Sequence, residues 1–460
     1  AAATAIYGAR GSNGVILITT KQGQSGDTKI EATFDIGLSE TTRKLDFVNA
    51  EEFLILAQEA WYNGGNDPTK FWDSSGVLVD GLTRGQALAT DTDWQDTALR
   101  TGVAYRGNIS ASGGDEKTKF FVSGNFLDEE SIFVGNEYLR LNARTNLTHQ
   151  LNKKVSIGSN MNFSYVNNSP VPVQNGVGKS NTNLPIHPVY KEDGTYFNVL
   201  RNPRAGIDLF TTNIKNRSFI ASWYIRYQIA NGLDFRTEYG LNSISSNQKA
   251  YSDGRLRESG EAQASSSASV RNSWNWKNLL NYRKRLGNHN FDVLAGVEAS
   301  KSKFHINNMK GVGFSSSTLK TPADAAVLTP TFNESAYTFL SVLSRVNYDY
   351  KGKYLISLTA RRDGSSRFGK DRKWGTFPAA SLGYNISEED FFEPLKGVFS
   401  FFKIKASYGI SGNAEIGNYL NESRYAQQNY NLQNGITLSN IPDDELGWES
   451  AAQTNFAVSM

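Results

Sequence analysis

The chain has 460 residues, 48 lysines and arginines against 45 aspartates and glutamates, a net charge of +3 and no cysteine. That excludes a disulfide framework, thiolate metal sites and a cysteine nucleophile, and with no basic block it predicts no nucleic-acid partner. No run approaches the eighteen apolar residues of a membrane-spanning helix. Yet the chain is 12% aromatic while hydrophilic on average, a profile that strands with one polar and one apolar face produce.

In chain order, the first informative stretch is Tyr7-Gly8-Ala9-Arg10-Gly11-Ser12-Asn13-Gly14, followed at once by Val15-Ile16-Leu17-Ile18-Thr19-Thr20-Lys21. Glycines at 8, 11 and 14 suit backbone with positive φ or a close chain approach. The β-branched run after them reads as a strand buried on both faces. The spacing is wrong for a GxGxxG nucleotide loop, and no helix follows. Because the chain opens on Ala1-Ala2-Ala3 inside this pattern, its start reads as lying upstream, and the lack of a signal segment carries no weight.

From Lys29 onward, segments of period two recur. Val155, Ile157, Met161, Phe163 and Tyr165 alternate with Ser156, Gly158, Asn160, Asn162 and Ser164. Phe219, Ala221, Trp223, Ile225, Tyr227 and Ile229 do the same against Ser218, Ser222, Arg226 and Gln228. Such alternation predicts strands with one apolar and one polar face. Fourteen are expected: 29–38, 104–112, 119–128, 137–151, 155–166, 218–230, 232–244, 269–286, 291–306, 337–351, 354–364, 374–387, 400–411 and 447–460. Many reach the nine to eleven residues that a tilted strand needs to cross a bilayer.

The connections alternate between short turns (113–116, 152–154, 230–232, 287–289, 351–353) and long loops (39–103, 167–217, 245–268, 307–336, 412–446). Outer-membrane barrels place short turns on one side and long loops on the other. Two connections depart from the rule: 365–373 is short for a loop, and 388–399 is long for a turn, with a helical turn expected over Glu388–Phe392. In the first long loop, Asn49 followed by Glu51 and Glu52 predicts a helix start, ended by Gly64-Gly65.

No catalytic constellation emerges. The four histidines are scattered and read as solvated, with no metal-ligand spacing. There is no G-x-S-x-G elbow, and no carboxylate pair can be nominated for glycoside hydrolysis. An enzyme is therefore not expected, and no metal or cofactor is implied. Arg140, Arg144, Arg226, Asp234, Arg236, Glu238, Arg345, Lys403 and Lys405 fall on polar strand faces. They read either as a wall along which solute passes or as ordinary salt bridges. Tyr227, Tyr348, Tyr350, Tyr354, Trp374 and Tyr384 lie towards strand ends, as interface girdles do. Trp61, Tyr62, Trp72, Trp94, Tyr190 and Tyr196 lie in long loops, where cargo contact, packing against a partner and packing within the loop all remain open. Arg361, Asp363 and Arg367, in Arg361-Arg362-Asp363-Gly364-Ser365-Ser366-Arg367-Phe368-Gly369, lie at the rim of a strand. They read either as a clasp between rim, loop and plug, since arginine forks pair well with carboxylates, or as simple loop bracing.

Ala3-Thr4-Ala5-Ile6 with the Tyr7–Lys21 stretch closely resembles the end of the plug domain in TonB-dependent outer-membrane transporters, and most of all the SusC/RagA branch of the Bacteroidetes. The Asn-Ala-Glu-Glu-Phe helix, Asp93-Trp94, the Arg361–Gly369 motif, Trp374-Gly375-Thr376-Phe377-Pro378 and Ser407–Asn413 resemble the same family in the same order. The resemblance implies an all-β fold. Residues 1–26 would be the C-terminal end of a plug, carrying Tyr7, Gly8, Arg10, Gly11, Asn13 and Gly14 as its motif. Residues 27–460 would supply about fourteen strands of a transmembrane barrel that closes with twenty-two in the family. It further implies TonB-dependent import of an oligosaccharide or peptide across the Gram-negative outer membrane, in contact with its lipid. A SusD-like surface lipoprotein would act as lid, and TonB would act through a segment outside this chain. The alternatives are a passive porin or adhesin barrel, against which the plug end speaks, and a soluble all-β carbohydrate-binding protein.

Overall fold

In the computed structural model the described residues are 8, 14, 16, 19–72, 82–180, 183–431 and 433–460. Sixteen strands occur among them: β1 (Gly26–Ser39), β2 (Gly102–Gly114), β3 (Thr118–Glu130), β4 (Glu137–Gln150), β5 (Val155–Ser169), β6 (Phe210–Ala230), β7 (Leu233–Ser252), β8 (Gln263–Leu286), β9 (His289–Val312), β10 (Val327–Tyr350), β11 (Tyr354–Ser365), β12 (Trp374–Asn385), β13 (Lys403–Asn413), β14 (Arg424–Tyr430), β15 (Gln433–Asn440) and β16 (Glu449–Ser459). Fourteen form one antiparallel sheet in the order β1 to β13, then β16. Each strand thus neighbours the next in sequence, as in the meander of an up-and-down barrel wall.

The period-two pattern sets the two faces. Along β11, Tyr354, Ile356 and Leu358 are exposed, whereas Thr359, Arg361 and Asp363 are buried. The row continues outward through Leu340, Val342 and Val346 on β10, Leu382 on β12 and Ile404 on β13, all exposed. On β6 it comprises Trp223, Ile225, Tyr227 and Ile229. No second sheet lies over these rows among the described residues, so they are not the core of a sandwich. An apolar band of this kind suits hydrocarbon and would be an aggregation hazard in water.

The short turns carry the conformations that tight hairpins require. In Tyr350-Lys351-Gly352-Lys353, Lys351 and Gly352 have φ of 54° and 70°, and Lys353 N–H donates to the Tyr350 carbonyl at 2.9 Å. Positive φ at both central residues matches the right-handed twist of the flanking strands. Outward tyrosines gather beside this turn: the Tyr354 and Tyr384 rings stack at 5.1 Å, and Tyr350 lies 6.3 Å from Tyr354.

All fourteen expected wall strands are present, but the loops are shorter than expected. Strands β6 to β10 are 20 to 24 residues long, rising well beyond the apolar band. Parts of their extensions, such as Gln263–Ala268, are polar or small on both faces and pair in the ladder without apolar alternation, whereas the β10 extension carries Val327, Leu328 and Phe332. The 412–446 connection, read as a loop, contains the β14–β15 hairpin, turned at Asn431 with φ of 46°. Of the buried strand expected over Val15–Thr20, Val15, Leu17 and Ile18 lie outside the described residues, and the described positions depart from the expectation. Gly14, Ile16, Thr19 and Thr20 are not in a strand, and Ile16 is 91% exposed. A strand buried on both faces needs neighbouring strands, and no described strand pairs with this segment.

The helices are short: α1 (Ala50–Asn63), α2 (Arg84–Ala89), α3 (Trp94–Ala98), α4 (Val177–Ser180) and α5 (Pro203–Asp208). Asn49 caps α1 in a reciprocal box with Glu52, and Gly64 N–H closes its end on the Ala60 carbonyl, as the sequence predicts.

Candidate functional site

Two regions carry the sequence-predicted residues: the inner wall below the loop end of β10 to β12, and the outer loops.

On the inner wall, Arg361 Nε donates to Asp363 Oδ1 at 2.7 Å. Its Nη2 reaches Ser341 Oγ at 3.0 Å and Glu298 Oε2 at 3.3 Å. The register explains this grouping: Leu343 faces Arg361, Ser341 faces Asp363, and Glu298 faces Ser341, so adjacent inward positions of β9, β10 and β11 converge. Arg361 is 7% exposed and Asp363 1%. Gly8, with φ of 58°, sits directly on them, and a Cβ there would collide with Asp363 Oδ2 and Arg361 Nε. Only glycine fits that spot, for backbone and for space alike. Two motifs more than three hundred residues apart therefore meet at one buried ion pair. The chain then runs along the wall: the Lys21 carbonyl accepts from Asn146 Nδ2 at 2.6 Å, and Ser25 Oγ donates to the Asp115 carbonyl at 3.1 Å.

Arg361 and Asp363 face inward in the last five residues of β11, next to the 365–373 loop. Arg367 sits at the rim and braces a loop. Its guanidinium lies 4.0 Å from the Tyr337 ring centroid and donates to Asn418 Oδ1 at 2.8 Å and the Ala414 carbonyl at 2.7 Å. The next residue, Phe368, is fully buried and packs at 4.6 Å against Trp448, which also meets Phe377 at 5.3 Å. Gly14 is described but lies away from this cluster, with nothing within 4 Å of its would-be Cβ. Tyr7, Arg10, Gly11 and Asn13 lie outside the described residues.

Towards the turn end the inner wall carries paired charges. Arg236 bonds Glu238 at 2.7 Å and lies over the Tyr224 ring at 4.0 Å, while Arg226 bonds Asp234 at 2.8 Å. Such pairs keep a polar lumen face from leaving unmatched charge. A cavity of about 770 Å³ near the turns is lined by Arg283, Arg285, Ser357, Ser381, Lys403 and Lys405 among others.

In the outer loops, Trp61 donates Nε1–H to the Asp67 carbonyl at 2.9 Å and meets Phe71 edge-on at 6.2 Å. Trp72 lies 5.5 Å from Phe71 and packs on the cluster of Ala50, Leu54, Leu82, Ala87 and Ile186. Tyr190 and Tyr196 pair at 5.2 Å, and Tyr196 OH donates to Asp208 Oδ2 at 2.8 Å. Burial and then that carboxylate push the Tyr196 phenol up to about 12. Tyr62 and Tyr190 keep an exposed face, whereas Trp94 is 4% exposed and has none to offer. Its indole donates to the Leu184 carbonyl at 2.8 Å, tying the first long loop to the second. Gln95 beside it exchanges two bonds with the Leu45 backbone, at 2.7 and 2.8 Å. His187, expected to be solvated, is buried under this junction and packs on Phe197 at 4.8 Å.

Trp94→Phe keeps the ring volume and removes the indole donor. It is expected to cost about 1–2 kcal/mol of loop stability. Hydrogen exchange should quicken in 41–101 and 183–209 and stay unchanged in the sheet.

The chain was compared with known proteins. No family model matches it. A TonB-dependent receptor of Formosa agariphila is 30% identical over 480 residues, covering 100% of this chain and 44% of that receptor. The TonB-dependent receptor SusC of Bacteroides thetaiotaomicron is 27% identical over 501 residues, covering 99% and 47%. Among solved structures, the RagAB peptide importer in its open-open state superposes with a TM-score of 0.85 at 21% identity, covering 100% of this chain and 55% of that one. A further RagAB peptide transporter structure gives 0.81, covering 98% and 55%. Over its whole length the chain is similar to TonB-dependent receptors, SusC among them, and it shares the fold of the RagAB transporter. It spans less than half the length of these two curated relatives, and its fourteen-stranded sheet matches part of that transporter's barrel fold.

Sequence reasoning missed Glu298, Ser341, Tyr337, Asn418 and Trp448 in this chain. Each comes from a strand or loop distant in sequence, and only the register brings them to the Arg361–Gly369 motif. Asp253 was also unseen. Arg255 grips its carboxylate with Nε at 2.9 Å and Nη2 at 3.0 Å, and this hydrogen bonding, above all, holds its pKa below the ordinary value. A depressed folded pKa stabilises above the unfolded value, near about 4, and the benefit is lost as pH falls through the folded one. Exchange protection of the 253–260 loop should therefore hold at neutral pH and drop only in strong acid.

Proposed function

We propose that this chain supplies wall, outer loops and plug end to an active importer in the Gram-negative outer membrane. Residues 1–26 would be the end of the plug, and 27–460 the barrel wall. The observation that carries the reading is the seat of Gly8 on the buried Arg361–Asp363 pair. An inner segment locked to the wall of a sheet with an apolar outer face has a use where something must move to open a path, and a passive porin needs none. TonB, acting from the inner membrane through a segment outside this chain, would supply the pull. A SusD-like surface lipoprotein would close over the outer loops.

The cargo class is an oligosaccharide or a peptide. The SusC relative and the RagAB neighbours, one of them titled a peptide importer, support these two classes. Tyr62 and Tyr190 would meet cargo or lid directly, with Trp61, Trp72 and Tyr196 shaping the surface and Trp94 holding it in place. Uptake of labelled oligosaccharides and peptides by cells carrying the full-length protein, with and without TonB, tests the proposal. Import should stop without TonB; import that continues would favour the porin reading.

A further inference from the structure

The connection between β12 and β13 is the one turn that the short-turn rule does not accommodate. It folds as two short 3-10 helices, Ile386–Glu388 and Asp390–Leu395. Phe392 is buried against Phe402 at 5.9 Å, and Ser387 N–H donates to the Phe402 carbonyl at 3.2 Å, closing the loop on itself. Glu389 fixes where it sits. Its carboxylate accepts from Tyr354 OH at 3.0 Å, Tyr384 OH at 3.2 Å and Lys353 Nζ at 2.9 Å. Both tyrosines belong to the outward row, so the loop is fastened to the outer side of the wall, not beneath the lumen.

Fastened there, it presents apolar side chains that nothing among the described residues covers. Phe391 is 67% exposed, Val398 77% and Leu395 49%, with Phe399 and Phe401 also open. They continue the outward apolar row through Ile404 and Leu382. Acidic and basic groups (Glu388, Asp390, and the Glu393–Lys396 pair at 2.6 Å) are interleaved with them. A short segment with an apolar side, polar groups beside it and tyrosines at its edge has the chemistry of the headgroup–acyl boundary.

We propose that residues 386–402 form an interfacial foot, with Phe391, Leu395 and Val398 inserted into the lipid leaflet at the turn end of the barrel. The occupant of this surface is phospholipid, and Glu389 is the positioning residue that holds the foot against the wall. The inference rests on the reading that the outward rows face hydrocarbon, and the test separates the two.

Phe391→Cys, Leu358→Cys and Ile436→Cys are introduced singly into the full-length protein, labelled with a nitroxide and reconstituted in phosphatidylcholine–phosphatidylglycerol vesicles. Collision with oxygen, which partitions into lipid, is compared with collision with a water-soluble nickel chelate. Position 391 should favour oxygen, as should 358 in mid-wall, while 436 on the exposed β14–β15 hairpin should favour nickel. If 391 favours nickel while 358 favours oxygen, the foot is in water and the proposal falls. If 391 is shielded from both probes, protein covers it and the proposal falls equally. If 358 itself favours nickel, the membrane-spanning reading fails with it. Glu389→Gln should lower the oxygen preference at 391 and leave 358 unchanged; no change at 391 would remove the positioning role.

Discussion

Asp363→Ala is expected to destabilise the protein by about 3–5 kcal/mol and to release the segment around Gly8, because it breaks an ion pair closed off from water. Asp363 is 1% exposed, so its carboxylate draws little on solvent, and Arg361 donates to it at 2.7 Å. Without it the guanidinium keeps Ser341 and the more distant Glu298, at 3.3 Å, which places the loss towards the lower end. Asp363→Asn, which keeps an acceptor and loses the charge, should fall between wild type and alanine. The measurements are urea unfolding of the detergent-solubilised protein and limited proteolysis of residues 8–25, which should become cleavable in the variant while the sheet stays intact. Gly8→Ala approaches the same contact from the other partner. It should loosen the segment without lowering sheet stability, because the side chain it adds collides with the clasp while the pair itself survives. Wild-type stability and protease resistance in Asp363→Ala would mean that the pair does not hold the segment.

Leu358→Arg should be the most damaging substitution on the outer face. Leu358 is 53% exposed in the middle of β11, between Ile356 and Ala360. An arginine at mid-bilayer depth costs about 2–4 kcal/mol in a transmembrane barrel. Folding yield into phospholipid vesicles should drop accordingly. The comparison that gives this meaning is Ser381→Arg, on the neighbouring strand but lining the cavity of about 770 Å³ inside the wall. There the added guanidinium stays in water, and the cost should be under about 1 kcal/mol, in the ordinary range for a solvated surface change. Equal tolerance at both positions would mean that the outward rows do not face hydrocarbon. Equal damage would mean that the inner face is packed rather than wet.

How much of this was legible beforehand follows from which interactions are local. The wall strands were readable because alternate apolar residues mark a face within a single strand, as in Phe219 to Ile229. The cap on α1 was readable because Asn49 and Glu52 are three residues apart. The outer extensions of β6 to β10 were not readable. Stretches such as Gln263–Ala268 are polar or small on both faces, and their strand character comes from pairing such as Ser265 with Ala250, which no local pattern announces. The described Ile16, Thr19 and Thr20 are outside any strand for a related reason, since a strand signal is fulfilled only by a partner.

The site divides along the same line. The motifs around Gly8 and Arg361 stood out by their residue types, and arginine beside aspartate suggested a clasp. That Glu298 and Ser341 complete the clasp follows from the registers of β9, β10 and β11, and that it meets Gly8 is decided only by the tertiary fold. Among the loop aromatics, composition alone could not separate the buried Trp94 from the exposed Tyr62. Burial depends on whether a distant loop arrives, here through the Leu184 carbonyl. Sequence by itself determined the likeness to TonB-dependent receptors, the strand count of the wall and its two unlike faces, because period and motif are written along the chain. Tertiary structure alone decided which residues meet across the wall and where the long β12–β13 turn is fastened, because those contacts join positions that the chain keeps apart.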